Sequence, residues 1–85
     1  MRVQVSSVLH SYTGGCSQVE AAGATILDVL ADLDRQFPGL RFRVLDEQGR
    51  LRPHMRVFVG VEQEKNLQAP VREQEIHLLH ALSGG

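Results

Sequence analysis

Apolar and polar residues alternate from the start of the chain. Val3 and Val5 are separated by a polar residue, which is typical of a strand with one buried face. The pair Gly14-Gly15 predicts a turn, and the short segment after it is again strand-like. Residues 2–20 are therefore predicted to form a β-hairpin.

The next element is a predicted helix over residues 26–36. Thr25 precedes it, with Asp28 three residues later, which resembles a capping box. Pro38 and Gly39 end it, because proline cannot continue a helix. The apolar stripe of the helix recurs at the spacing of one helical face and comprises Ile26, Val29, Leu30 and Leu33.

The second half of the chain contains two more predicted strands. Residues 55–61 are rich in β-forming side chains, and residues 75–79 form the last strand, whereas residues 62–70 are polar and irregular. Residues 40–45 alternate in part, so short extra strand pairing is predicted around 42–51. The element order β-β-α-β-β predicts an α+β fold with a mixed sheet packed on one main helix.

Length and composition exclude several classes of protein. The 85 residues are predicted to form a single domain, 1–85, and a net charge of −1 gives no reason to expect nucleic-acid binding. The sequence contains no apolar run of about 18 residues, so no membrane span is expected. A single cysteine, Cys16, cannot form an internal disulfide, which favours a cytoplasmic location.

Four short sequences in this element order carry a resemblance. They are Thr25-Ile26-Leu27-Asp28-Val29-Leu30, Phe37-Pro38-Gly39-Leu40, Val57-Phe58-Val59 and the final Gly84-Gly85. Because of these four sequences and their order, the chain resembles the ThiS/MoaD family of ubiquitin-like sulfur carriers over nearly its whole length. The resemblance implies a β-grasp fold, and a carrier rather than an enzyme.

The resemblance also implies a reaction and its partners. A ubiquitin-activating-type enzyme uses ATP to adenylate the carboxylate of Gly85, and a sulfur donor converts it to a thiocarboxylate. A biosynthetic enzyme then accepts the sulfur. The run 38–52 is most similar to the carriers of cysteine biosynthesis, with the molybdopterin and thiamine pathways left open. The alternative is a ubiquitin-like interaction module with no sulfur transfer. In either case the carrier is expected to bind no cofactor and to be a monomer when free.

The end of the sequence suits this chemistry. A free α-carboxylate is ionised at neutral pH and is a poor electrophile until it is activated. Gly84 and Gly85 have no side chains, so they form a narrow tail that can enter a partner's active site. Residues 82–85 are predicted to be a flexible tail in which Leu82 and Ser83 contact the partner.

A docking patch is predicted on the open face of the sheet. If Val57 and Val59 face the helix, Phe58 between them is exposed on the opposite face, and Leu79 of the last strand joins it. An apolar patch of this kind indicates a partner-binding surface, although single exposed apolar residues are commonplace.

The remaining candidates favour ordinary structural roles. His77 and His80 are predicted to lie on opposite faces of a strand, and no metal site is expected. Cys16 is interpreted as a small packing residue rather than a sulfur-relay thiol. A basic stretch is interpreted as a solvated face, with steering toward an acidic partner as the alternative. It comprises Arg41, Arg43, Arg50, Arg52 and Arg56.

Overall fold

Five strands form one mixed sheet in the computed structural model, which describes residues 1–72 and 74–81. The strands are β1 (Arg2–Val5), β2 (Gln18–Glu20), β3 (Met55–Val59), β4 (Glu62–Gln63) and β5 (Ile76–His80). Their order across the sheet is β2-β1-β5-β3-β4. β1 and β5 are parallel, and the other neighbours are antiparallel, so the predicted mixed sheet is confirmed.

The N-terminal hairpin is confirmed. The connection between β1 and β2 is longer than the turn predicted at Gly14-Gly15. Val3 pairs with Val19, and both side chains are buried. After Val5 the chain forms a 3-10 helix, Ser7–Leu9, and turns before it returns as β2. Leu9 therefore enters the core from a helical turn rather than from the strand.

The main helix, α1 (Ile26–Gln36), has the predicted bounds. The Thr25 hydroxyl accepts a hydrogen bond from the Asp28 backbone N–H at 3.2 Å, which satisfies one of the unpaired donors at the start of the helix. All four residues of the predicted apolar stripe are buried. They share one core with the inward side chains of the sheet, including Val3, Val57 and Leu78.

A second short helix, α2 (Leu40–Val44), replaces the alternating segment that was predicted over residues 40–45. Leu40 and Val44 are four residues apart and both fully buried, a spacing that places them on one helical face. Asp34 of α1 accepts the backbone N–H groups of Gly39 and Arg41 at 3.1 and 3.2 Å. The start of α2 is therefore stabilised by a side chain that belongs to α1.

The extra pairing predicted around residues 42–51 is confirmed at one position. Leu45 and Leu51 form an isolated antiparallel bridge. The turn between them is held by Asp46, whose carboxylate accepts the backbone N–H groups of Gln48 and Arg50 at 2.9 Å each. These bonds hold the pKa of Asp46 below its ordinary value, the bond from Arg50 being the largest cause.

Candidate functional site

The last strand ends at the point where the predicted tail begins. The Ala81 backbone N–H donates to the carbonyl oxygen of His54 at 2.8 Å, and the rings of His54 and His80 lie 5.0 Å apart. We call Ala81, His54 and His80 the tail root. The predicted reacting residue Gly85, the tail residue Gly84, and the predicted partner contacts Leu82 and Ser83 lie outside the described residues.

The predicted docking patch lies on the open face of the sheet, away from α1. Phe58 pairs with His77, and Leu79 pairs with Arg56, so Phe58 and Leu79 are diagonal neighbours on the same face. Val57 points the other way and is fully buried, as predicted. Leu79 is 39% exposed.

Phe58 is half-buried rather than exposed, which corrects the prediction. Its strand lies between two others, and its direct cross-strand neighbours on the open face are His77 on one side and Gln63 on the other. Side chains at such positions stand close enough to cover part of a ring. The patch therefore presents part of Phe58 and more of Leu79 to solvent.

A polar group borders this patch across β1 and β5. The Glu75 carboxylate accepts a hydrogen bond from the Gln4 amide at 3.2 Å and lies 3.1 Å from Nε2 of His77 and 3.7 Å from the Arg2 guanidinium. The Gln4 hydrogen bond is the largest cause that holds the pKa of Glu75 below its ordinary value, and the charges of His77 and Arg2 act in the same direction. The carboxylate therefore stays ionised near neutral pH.

Two arginines of the basic stretch are fixed by their own segment. The Arg52 guanidinium lies 4.6 Å from the centre of the Phe42 ring, and its Nε donates to the Phe42 carbonyl oxygen at 2.8 Å. Arg56 donates to the carbonyl oxygens of Pro53 and Met55 at 2.6 and 2.8 Å. Arg41, Arg43 and Arg50 are exposed.

Cys16 is exposed, so its interpretation as a packing residue is wrong. Thr13 fills the interior of this turn instead, with its buried hydroxyl donating to the Cys16 carbonyl oxygen at 2.7 Å. Small size predicted burial for Cys16, but the turn directs its side chain outward.

The histidines of the last strand lie on opposite faces, as predicted. His77 contacts Glu75 on the open face, and His80 lies against His54 at the end of the strand. No sequence pattern pointed to His54, because only the register between β3 and β5 brings it beside His80. In residues 1–72 and 74–81 no group of three or more metal-ligating side chains comes together.

No helix in the described part of the chain is long and apolar enough to cross a membrane.

Several known proteins are similar to this chain in sequence and in structure. No family model matches the chain. The sequence is 27% identical to the sulfur carrier protein CysO of Mycobacterium tuberculosis and of Mycobacterium bovis. The alignment, 89 positions long with its gaps, covers 98% of this chain and 96% of the relative.

Solved structures match over nearly the whole chain. The crystal structure of Mycobacterium tuberculosis CysO superposes with a TM-score of 0.89 at 25% identity and covers 95% of this chain and 98% of that one. A chain of the Amycolatopsis orientalis BexX/CysO complex has the same TM-score at 31% identity, with 99% and 98% covered. The small archaeal modifier protein SAMP1 of Haloferax volcanii has a TM-score of 0.78 at 28% identity, with 100% and 98% covered.

The sheet order, the main helix and these superpositions define a ubiquitin-like protein with the β-grasp fold, as the sequence predicted. Because identity above 30% extends over almost the whole of a CysO complex chain, the relationship reaches beyond the fold. The chain belongs to the ThiS/MoaD-type family of ubiquitin-like sulfur carriers, and its relatives there are the cysteine-type carriers named CysO.

Proposed function

We propose that this protein carries sulfur on its C-terminal glycine for cysteine biosynthesis. A carboxylate oxygen of Gly85 attacks the α-phosphate of ATP in a ubiquitin-activating-type partner, and pyrophosphate leaves. A sulfur nucleophile then attacks the carbonyl carbon of the acyl-adenylate, and AMP leaves. The product is a thiocarboxylate, which passes its sulfur to a biosynthetic enzyme.

The observation that carries this proposal is the correspondence with sulfur carrier proteins along nearly the full length of both chains. The chemistry divides between the partner and the carrier. ATP and the groups that position it belong to the partner, and this chain supplies the carboxylate and the surface that the partner recognises. The carrier is therefore a substrate of its activating enzyme, not a catalyst.

The spacing between the folded body and Gly85 suits this division. The described fold reaches Ala81, whose backbone N–H is hydrogen-bonded to the carbonyl oxygen of His54. Four residues follow Ala81 in the sequence. Four extended residues span at most about 13–14 Å. That length allows the carboxylate to enter a recessed active site while the β-sheet stays at the partner's surface.

The open face of the sheet is the proposed docking surface. Phe58 and Leu79 supply adjoining apolar area, and the ionised Glu75 with His77 forms a polar edge. An apolar centre with a polar rim is the usual anatomy of a protein interface. The Amycolatopsis relative was solved in complex with BexX, which supports a protein partner for this chain.

Removal of Gly85 tests the role of the tail. The deletion moves the carboxylate back by up to about 3.3–3.6 Å, and a displacement of about 1 Å can reduce the rate of a positioned reaction a hundredfold. We expect ATP–pyrophosphate exchange by the cognate activating enzyme to be lost, while circular dichroism and thermal melting stay as in the full chain. One glycine appended after Gly85 displaces the carboxylate in the other direction and should also prevent exchange.

Equal exchange with the full chain and the deletion variant would refute the role of Gly85. Intact mass spectrometry tests the next step. After incubation with ATP, the activating enzyme and the sulfur donor, the carrier should be heavier than the unmodified chain by the mass difference between one sulfur and one oxygen atom, and iodoacetamide should then alkylate the C-terminus.

The likeness to proteins described as small archaeal modifier proteins favours one second candidate. In it the folded body binds other proteins, and the tail carries no sulfur. Retention of partner binding by the Gly85 deletion variant, together with no mass gain in the full chain, would favour this interaction module over the carrier.

A further inference from the structure

A basic cleft of about 410 Å³ lies at the start of β3, and one of its lining residues, Met55, pairs with His80 of the tail root. Its charged walls are Arg52, Arg56 and Lys65, and its apolar lining comes from Leu51, Pro53 and Met55. Lys65 follows β4 and is brought beside Arg56 by the antiparallel pairing of β3 with β4, in which Phe58 lies opposite Gln63. The cleft therefore combines three cationic groups with an apolar surface.

The cations of the cleft form no salt bridge with the described residues. In residues 1–72 and 74–81, none of the three lies within 4.0 Å of a carboxylate, and no acidic side chain lines the cleft. Besides the larger effect of the backbone hydrogen bond from Arg50, the charge of Arg52 acts on the nearby Asp46 carboxylate and lowers its pKa. The chain as a whole has a net charge of −1, so the excess of positive charge is confined to part of its surface. A local field of this kind attracts an acidic surface and repels a basic one.

Two of the cations are held in place before any partner arrives. Arg52 is stacked on Phe42 and bonded to its carbonyl oxygen, and Arg56 is bonded to the carbonyl oxygens of Pro53 and Met55. A side chain that is already ordered loses less conformational entropy when it binds. A guanidinium group has five N–H donors, so these internal bonds leave others to pair with a carboxylate.

The position of the cleft links it to the tail. His54 lies between Arg52 and Arg56 in the sequence, and its carbonyl oxygen accepts the hydrogen bond from Ala81. β5 is the central strand, and His80 at its end pairs with Met55, which lines the cleft. An enzyme that takes up the tail therefore approaches the end of the sheet at which the cleft lies. The partner's surface around the entrance to its active site therefore faces the cleft.

We propose that the basic cleft binds an acidic segment of the activating enzyme, in which Asp or Glu side chains flank an apolar residue. This rests on the proposed function, since the enzyme that activates Gly85 is the occupant. The carboxylates pair with Arg52, Arg56 and Lys65, and the apolar residue contacts Leu51 and Pro53. Binding there sets the direction in which the tail leaves the body.

The test is ATP–pyrophosphate exchange measured against carrier concentration. The double variant Arg52→Gln/Lys65→Glu should raise KM by about fivefold or more at low ionic strength and leave kcat unchanged, because each exposed ion pair contributes about 0.2–1 kcal/mol and charge reversal replaces attraction by repulsion. The effect should shrink toward 1 M salt, where the screening length falls to about 3 Å. Lys65→Glu alone should show the same direction without disturbing the stacking on Phe42.

The matched control is Arg35→Glu, which changes the net charge by the same amount as Lys65→Glu but lies on the exposed side of α1, outside the cleft. An equal rise of KM in Lys65→Glu and in this control would overturn the proposal, as would an unchanged KM in the double variant.

Chemical-shift changes at the cleft on addition of ATP or inorganic phosphate to the carrier alone would instead show a small-anion site and also overturn the proposal. Absence of exchange with the unmodified chain would refute the proposed function rather than the cleft.

Discussion

Strand β3 provides a direct comparison between a core residue and a docking residue at adjacent positions. Val57→Ala removes two methyl groups from a fully buried side chain opposite Leu78. Phe58→Ala removes a half-buried ring on the other face of the same strand. We expect Val57→Ala to reduce stability and leave docking intact, and Phe58→Ala to reduce stability less and weaken docking.

The magnitudes follow from burial. Two methyl groups at about 0.8 kcal/mol each, with an added term for the cavity, give a loss of about 2–3 kcal/mol for Val57→Ala. A fully buried Phe replaced by Ala loses about 3–5 kcal/mol, so a half-buried ring should lose about 1–2 kcal/mol. Removal of an interface aromatic side chain costs more than about 1 kcal/mol of binding when it is a hot spot, which corresponds to a fivefold or greater rise in KM.

Urea denaturation measures the first effect, and the KM for the carrier in ATP–pyrophosphate exchange measures the second. Both variants are compared with the unmodified chain at a temperature where all three are folded. A loss of 3 kcal/mol or more in Phe58→Ala would refute our assignment of the two faces. An unchanged KM in Phe58→Ala, with Val57→Ala also unchanged, would refute the docking role of the open face.

Two further substitutions test the core and the polar edge. Leu30→Ala, at a fully buried position of α1, should lower the free energy of unfolding by about 2–5 kcal/mol in a urea titration, and a loss below about 0.5 kcal/mol would contradict its packing on the sheet. The lowered pKa of Glu75 means that its stabilising effect is complete above the pKa of an unfolded glutamate, about 4.3, and is lost as the pH falls through the folded value. Glu75→Gln should therefore flatten the acid side of the stability curve measured by thermal melting, and an unaltered acid side would contradict the shift.

The sequence was sufficient where one local pattern determined both the element and its orientation. The stripe from Ile26 to Leu33 predicted the bounds of α1 and its buried face, and the alternation around Val57 predicted which face of β3 points to the core. In both cases hydrophobic burial and backbone geometry require the same periodicity, so few other structures fit.

The sequence was insufficient where distant contacts decide the structure. Leu40 and Val44 suit one face of a helix as well as a partly alternating strand, and the carboxylate of Asp34, which lies in another element, stabilises the helix. Phe58 is half-buried because of neighbours contributed by β4 and β5. Lys65 joins the basic cleft through the pairing of β3 with β4, which the polar segment 62–70 did not predict.

The central position of β5 has a mechanical consequence. A pull on the end of β5 along the strand axis acts against hydrogen bonds to β1 on one side and to β3 on the other. These bonds run across the strand, so the load falls on both ladders in shear rather than on one bond at a time. An edge strand would resist the same pull with a single ladder. The end of β5 is therefore secured by two ladders at once.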